Sequence, residues 1–149
     1  MSPGSAESVD MPARRMEPPV TPLTKPFWDA TRRREFLLQW CLRCDEPIFY
    51  PREVCPRCLE AQLEWRPASG RGTVNAVSVQ HRPAMPLPAF TDGPYVVALV
   101  ELAEGVCVMS NVTGTPPDEV TVGMPVTLTW EALSDGRNLP QFQPARAAP

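Results

Sequence analysis

A single histidine, His81, and a single lysine, Lys25, stand among the 149 residues of this chain. With one imidazole, no catalytic constellation inside the chain can draw on a second histidine. Aromatic residues are scarce at 7%. No segment approaches the roughly 20 apolar residues needed to cross a bilayer. The first residues lack the apolar core and cleavage site of an export signal, so a cytoplasmic protein is expected. Positive charge is thin in the second half, where only Arg82, Arg137 and Arg146 follow residue 73. With a net charge of −3, this acidic body speaks against a protein that lives on nucleic-acid phosphates. A ligand held by a few local arginines is still compatible with it.

What the chain does have is proline. Its 20 prolines and 8 glycines leave little room for long helices and favour short strands joined by turns. The five cysteines, in a chain with no export signal, point to a reducing compartment where thiols bind metals more often than they form disulfides.

Residues 1–23 show no hydrophobic period and read as a disordered tail. A short helix is expected from Thr24, a capping residue, with Pro26 in its first turn and Arg32, Arg33 and Arg34 toward its end. It runs to about Glu35 and is too short to be stable without packing on something. Two short strands, at Phe36–Cys41 and around Leu63–Trp65, flank the cysteine pairs. The helix and these strands form a first unit over 24–68. A second unit, 69–145, carries strands at about 73–82, 95–102, 105–112, 125–133 and 139–142. Its cleanest alternation places Val126, Leu128, Trp130 and Ala132 on one face. Tyr95–Val100 is apolar on both faces and is expected to be covered on both. Glu104–Gly105 makes a tight hairpin. The fold class is therefore mainly β, with a five-stranded OB-fold barrel favoured and an SH3-like closure left open. The proline-rich segment Arg82–Pro94 should be an extended, semi-rigid loop. In an OB-fold it would flank the binding face together with the turn Ser134–Asn138.

The residues with the clearest chemistry are Cys41-Leu-Arg-Cys44 and Cys55-Pro-Arg-Cys58. Each pair brings two thiolates together on one tight turn, and two such turns complete a tetrahedron around one structural zinc ion. Structural zinc contributes about 10–16 kcal/mol in small zinc peptides, and this module is too small to build a core of its own. The same four thiolates would also suit a rubredoxin-type iron. Asp45 and Leu59, where such turns usually carry glycine, argue against iron. A catalytic zinc would need an open position that four thiolates do not leave. Cys107 reads as a small buried hydrophobe, His81 as a surface side chain, and Asp118 and Glu119 as a solvated turn. No catalytic residue is assigned.

Taken together, an F-W helix, L-L-Q-W-C-x-x-C, F-Y-P-R-x-x-C-P-x-C and S-G-x-G-T-V resemble the zinc-ribbon/OB-fold acyl-CoA-associated proteins. Pro94–Gly105, Val122–Val126 and Leu139–Pro144 extend the resemblance over about residues 24–145. Asp45 after the first cysteine pair and Arg33–Arg34–Glu35 after the helix depart from common glycines. The resemblance implies a rubredoxin-like zinc ribbon plus OB domain that is not catalytic alone. It would be an accessory subunit of a thiolase-like lyase or transferase, a thiolase or a retro-aldolase such as those of steroid side-chain degradation. The partner would carry the catalytic groups, and this chain would scaffold it and line a path for the CoA thioester. On that reading Phe27, Trp28 and Trp40 contact the partner, or else pack the ribbon on the barrel. His81, Arg82, Phe90 and Tyr95 line the acyl-CoA passage. A free-standing OB-fold module binding nucleic acid or a small ligand is the alternative.

Overall fold

Pro26 in the first turn fixes a helical φ where no backbone donor is needed, and helix α1 runs Lys25–Arg32. The computed structural model describes residues 14–146, so residues 1–13 of the expected tail lie outside the described residues. The Thr24 side chain does not cap α1. Its hydroxyl instead accepts the Thr21 N–H at 3.0 Å, closing the preceding turn. The helix ends before Glu35 because Arg34 turns left-handed at φ 57°. Arg34 N–H then bonds Thr31 O at 2.9 Å and Glu35 N–H bonds Ala30 O at 3.0 Å, the paired closure that usually recruits glycine. The buried face carries Phe27, Ala30 and Thr31, spaced three and four apart, together with Trp28.

The ribbon is a three-stranded antiparallel sheet of β1 (Leu37–Cys41), β2 (Glu46–Ile48) and β3 (Leu63–Pro67), with β1 central. Strands β1 and β3 fall where expected. The three-residue β2 is too short to leave a periodic trace in the sequence. Leu63 lies opposite Cys41 and Trp65 opposite Gln39, so the two share a face as their spacing requires.

Five strands close the barrel: β4 (Arg71–Gln80), β5 (Tyr95–Leu102), β6 (Cys107–Val112), β7 (Pro125–Ala132) and β8 (Asn138–Pro144). Their order is β4-β5-β6-β8-β7, with β7 pairing back onto β4. This is an OB-fold, and the SH3-like alternative falls away. Gly72 is required where β4 crosses β5, since a Cβ there would stand 2.6 Å from Val100 Cγ1 and 2.9 Å from the Glu101 carbonyl. Phe142, Val74, Val96, Val100 and Val126 fill the interior.

The helix and ribbon share this core. Phe27 packs edge-on against Trp28 and Phe36, at 5.0 and 5.3 Å between centroids, and all three belong to the barrel cluster. Thr31 and Asn138, both buried, lock the joint: Asn138 Nδ2 donates to Thr31 O at 2.8 Å and Asn138 N–H to Thr31 Oγ1 at 3.3 Å.

Four further expectations need correction. β5 is covered on one face only: Val96, Ala98, Val100 and Leu102 are buried, while Leu99 is 40% exposed on the outer side. Cys107 is exposed rather than buried, because its position in β6 points outward, two residues from exposed Met109. The Arg82–Pro94 segment is not extended throughout; a short helix α2 (Pro88–Thr91) forms where Pro88 supplies its first turn. Residues 14–23 do not trail free, since Arg14, Arg15, Glu17 and Pro18 all bond to the barrel. The Glu104–Gly105 hairpin forms, with Gly105 at φ 102°, and Asp118 and Glu119 lie exposed in a 3-10 turn.

Candidate metal centre and the cavity at the barrel mouth

The end of β1 delivers Cys41, and the turn after it returns Cys44; the segment after β2 delivers Cys55 and Cys58 in the same way. Each turn closes by a matching bond, Asp45 N–H to Cys41 O at 2.8 Å and Leu59 N–H to Cys55 O at 2.9 Å. Asp45 and Leu59 sit at φ 53° and 63°, the left-handed region glycine favours. Both turns thus adopt the glycine conformation without glycine, so the two side chains carry no weight against iron. Gln39, buried in β1, anchors the approach to the second pair through Arg52: Nε2 donates to Arg52 O at 3.0 Å and Oε1 accepts Arg52 N–H at 2.7 Å.

The four Sγ atoms lie within 4.8 Å of one another. A tetrahedron with bonds of about 2.3 Å has edges of about 3.8 Å, and the Cys41–Cys58 sulfurs stand 3.5 Å apart. The donor set fits a tetrahedral metal, and the cluster is a metal-binding site. Cys41 and Cys55 are buried, with Cys44 and Cys58 partly so. Without a cation the four thiols cannot all ionise. The N–H groups of Cys58 and Arg57 hold Cys55 down at about 7, whereas sharing a proton with Cys58, together with burial, pushes Cys44 up to about 12. Cys58 is also raised: the Glu60 N–H works to lower it, but burial and the Cys41 thiol prevail. This split is what one bound divalent cation would remove. Around the site, Arg43 pairs with Glu60 at 2.8 Å and Arg57 with Glu46, tying the loop that carries the second pair to the first.

A cavity of about 620 Å³ opens at the barrel mouth. Phe90 of α2 and Tyr95 of β5 pack together on its wall, 4.9 Å between ring centroids and tilted by 42°, joined by Trp130 and Glu131 of β7. Of the four residues expected along an acyl-CoA passage, the structure brings Phe90 and Tyr95 together. His81 and Arg82 are exposed in the loop after β4 and do not line this cavity. Phe27 and Trp28 are buried against the chain's own core, the packing role rather than an open partner contact. Trp40 is half-buried under the Arg66 guanidinium, 5.0 Å from the ring.

Arg14, Arg15, Trp130 and Glu131 escaped sequence reasoning. The first two sit in a stretch without periodicity, and the strand alternation placed Trp130 on the face of Val126 and Leu128 without giving it a role. Just before β8, Arg137 is 5% exposed, lies 4.8 Å over the Trp28 ring and pairs with Asp135 at 2.7 Å. Burial works to raise the Asp135 carboxyl, but Arg137 outweighs it and holds the group below its ordinary value of 3.8.

Two family models match the chain: "ChsH2, rubredoxin-like zinc ribbon domain" over residues 28–64, and "ChsH2, C-terminal OB-fold domain" over residues 65–131. A probable enoyl-CoA hydratase alpha subunit of Thermomonospora curvata is 36% identical over 96% of this chain but only 44% of its own length. A 3-oxo-4,17-pregnadiene-20-carboxyl-CoA hydratase alpha subunit of Mycobacterium tuberculosis is 32% identical, again over 42% of its length. The chain thus spans less than half of these two relatives. A DUF35 domain-containing scaffold protein of Methanothermobacter thermautotrophicus is 35% identical over 71% of its length. Among solved structures, a chain of the Ltp2-ChsH2(DUF35) aldolase superposes with a TM-score of 0.78 at 35% identity, covering 87% of this chain and 100% of that one.

Proposed function

The chain belongs to the ChsH2/DUF35 family of zinc-ribbon and OB-fold proteins, and from that premise we propose that it is a non-catalytic subunit of a CoA-thioester enzyme. Its partner is a thiolase-like protein, either a thiolase or a retro-aldolase acting on a steroid side chain. The single observation that carries this reading is the aldolase chain, which this sequence covers from end to end. The outer face of the barrel supports it. Leu99 and Met109, opposite each other on β5 and β6, are 40% and 58% exposed. Tyr50 is 53% exposed, on the wall of an apolar cleft that also includes Met109. Exposed apolar side chains grouped in this way suit a protein partner.

The chain's own part is to hold shape and to line a route. One zinc ion, held by Cys41, Cys44, Cys55 and Cys58, would supply structure rather than a reactive water, since four thiolates leave no open position. Phe90 and Tyr95 offer flat apolar walls for the thioester, with His81 and Arg82 farther out along the same loop. The complex works in the cytosol.

The test is affinity purification of the tagged chain from its native cytosol, with mass spectrometry of what co-elutes. A near-stoichiometric thiolase-like protein is expected. Recovery of the chain alone, or with nucleic acid, overturns the reading in favour of a free-standing binding module.

A further inference from the structure

Residues 14–18 cross the barrel mouth and clip together the two loops that flank the binding face of an OB-fold. On one side the Ala89 N–H of α2 donates to Arg14 O at 2.9 Å, and the Arg15 guanidinium lies 5.3 Å from the Phe90 ring. In the middle Glu131 receives both arginines, Arg14 Nε at 2.8 Å and Arg15 at 2.6 Å, and is itself braced by Gln141 at 2.9 Å. On the other side Glu17 accepts the Ser134 N–H at 2.7 Å and the Ser134 hydroxyl at 2.8 Å, while Arg137 donates to Pro18 O at 2.8 Å.

No residue from 14 to 20 is buried. The segment is therefore held by hydrogen bonds and ion pairs, with little apolar burial to commit it. Such segments belong to the low-stability end of a fold and open locally without unfolding the rest.

We propose that residues 14–18 are a latched strap that opens and closes the cavity at the barrel mouth, with Glu131 as the latch. Closure bridges α2 and the β7–β8 turn directly over Phe90, Tyr95 and Trp130. What the strap admits rests on the reading above, in which this cavity takes the CoA thioester; that it opens does not.

The strap is tested by limited trypsin digestion of the full chain, following cleavage of the Arg15–Met16 bond. Its side chain is only 13% exposed when latched, so cleavage requires opening. The bond should be cut at least tenfold more slowly than in a free peptide of residues 10–22. Glu131→Gln should speed cleavage several-fold. Glu17→Ala, which alters the strap and not the barrel, should do the same and should also accelerate amide exchange at Ala89, on the far side of the mouth. Cleavage as fast as in the free peptide overturns the strap, as does a rate unchanged in both variants. Unchanged exchange at Ala89 in Glu17→Ala also overturns it, since the anchors would then not act as one unit. A failed strap leaves the subunit reading standing. A chain that purifies without a partner leaves the strap measurement standing.

Discussion

The ribbon and the barrel solve the problem of holding a small structure together in opposite ways. The barrel surrounds an interior of valines closed by Phe142, and helix α1 adds its aromatic face to the same cluster. The ribbon's own buried cluster is Cys41, Ile48 and Cys55, with Cys44, Cys58 and Leu63 packed against it. The barrel's valines could be replaced by other apolar side chains of similar volume. The ribbon's cysteines cannot, because its centre is made of ligands whose thiols resist ionising together. A metal is the natural centre for one and irrelevant to the other.

The comparison breaks most visibly with a strong chelator. Metal removal should unfold β1–β3 around the thiols, seen as rapid amide exchange in residues 41–63, while β4–β8 keep their protection. Equal loss in both regions would mean that the barrel depends on the ribbon, and equal retention that the metal is not structural.

A smaller effect attacks the other side. Phe142→Ala empties the fully buried centre of the barrel and should cost about 3–5 kcal/mol, read as a lowered denaturant midpoint. Bound metal, measured by stoichiometric analysis of the folded fraction, should be unchanged. Loss of metal from that fraction would show that the two regions form one cooperative unit.

The smallest effect lies at the joint. Asn138→Ala removes the side-chain bond to Thr31 O and should cost about 0.5–1.5 kcal/mol, the net worth of one hydrogen bond, because Thr31 O keeps the Arg34 N–H. The loss should appear first as faster exchange in α1. A variant with full stability would place the helix–barrel attachment wholly in the Phe27, Trp28 and Phe36 contacts.

Much of this architecture was legible in the chain. Strands β5 and β7 were marked by their apolar residues and bounding turns, and the cysteine pairs announced their site by spacing alone. Strand β2 left no such mark, since three residues carry no period. The left-handed turns at Arg34, Asp45 and Leu59 were marked only indirectly, as positions where glycine is common, because Arg and Leu do not signal that conformation. There the neighbouring hydrogen bonds impose the backbone, and the sequence shows only the absence of glycine.

Sequence by itself picked out the four clustered cysteines and the order of the elements, because both depend on short-range spacing: two residues between thiols, two-residue alternation along a strand. Tertiary structure alone decided what the outer surfaces do. Leu99 and Cys107 became exposed, Phe27 and Trp28 buried, and a polar segment near the N-terminus was laid across the barrel mouth. Those outcomes depend on which faces meet after closure, and residues 117 positions apart, such as Arg14 and Glu131, share no local pattern that could announce their pairing.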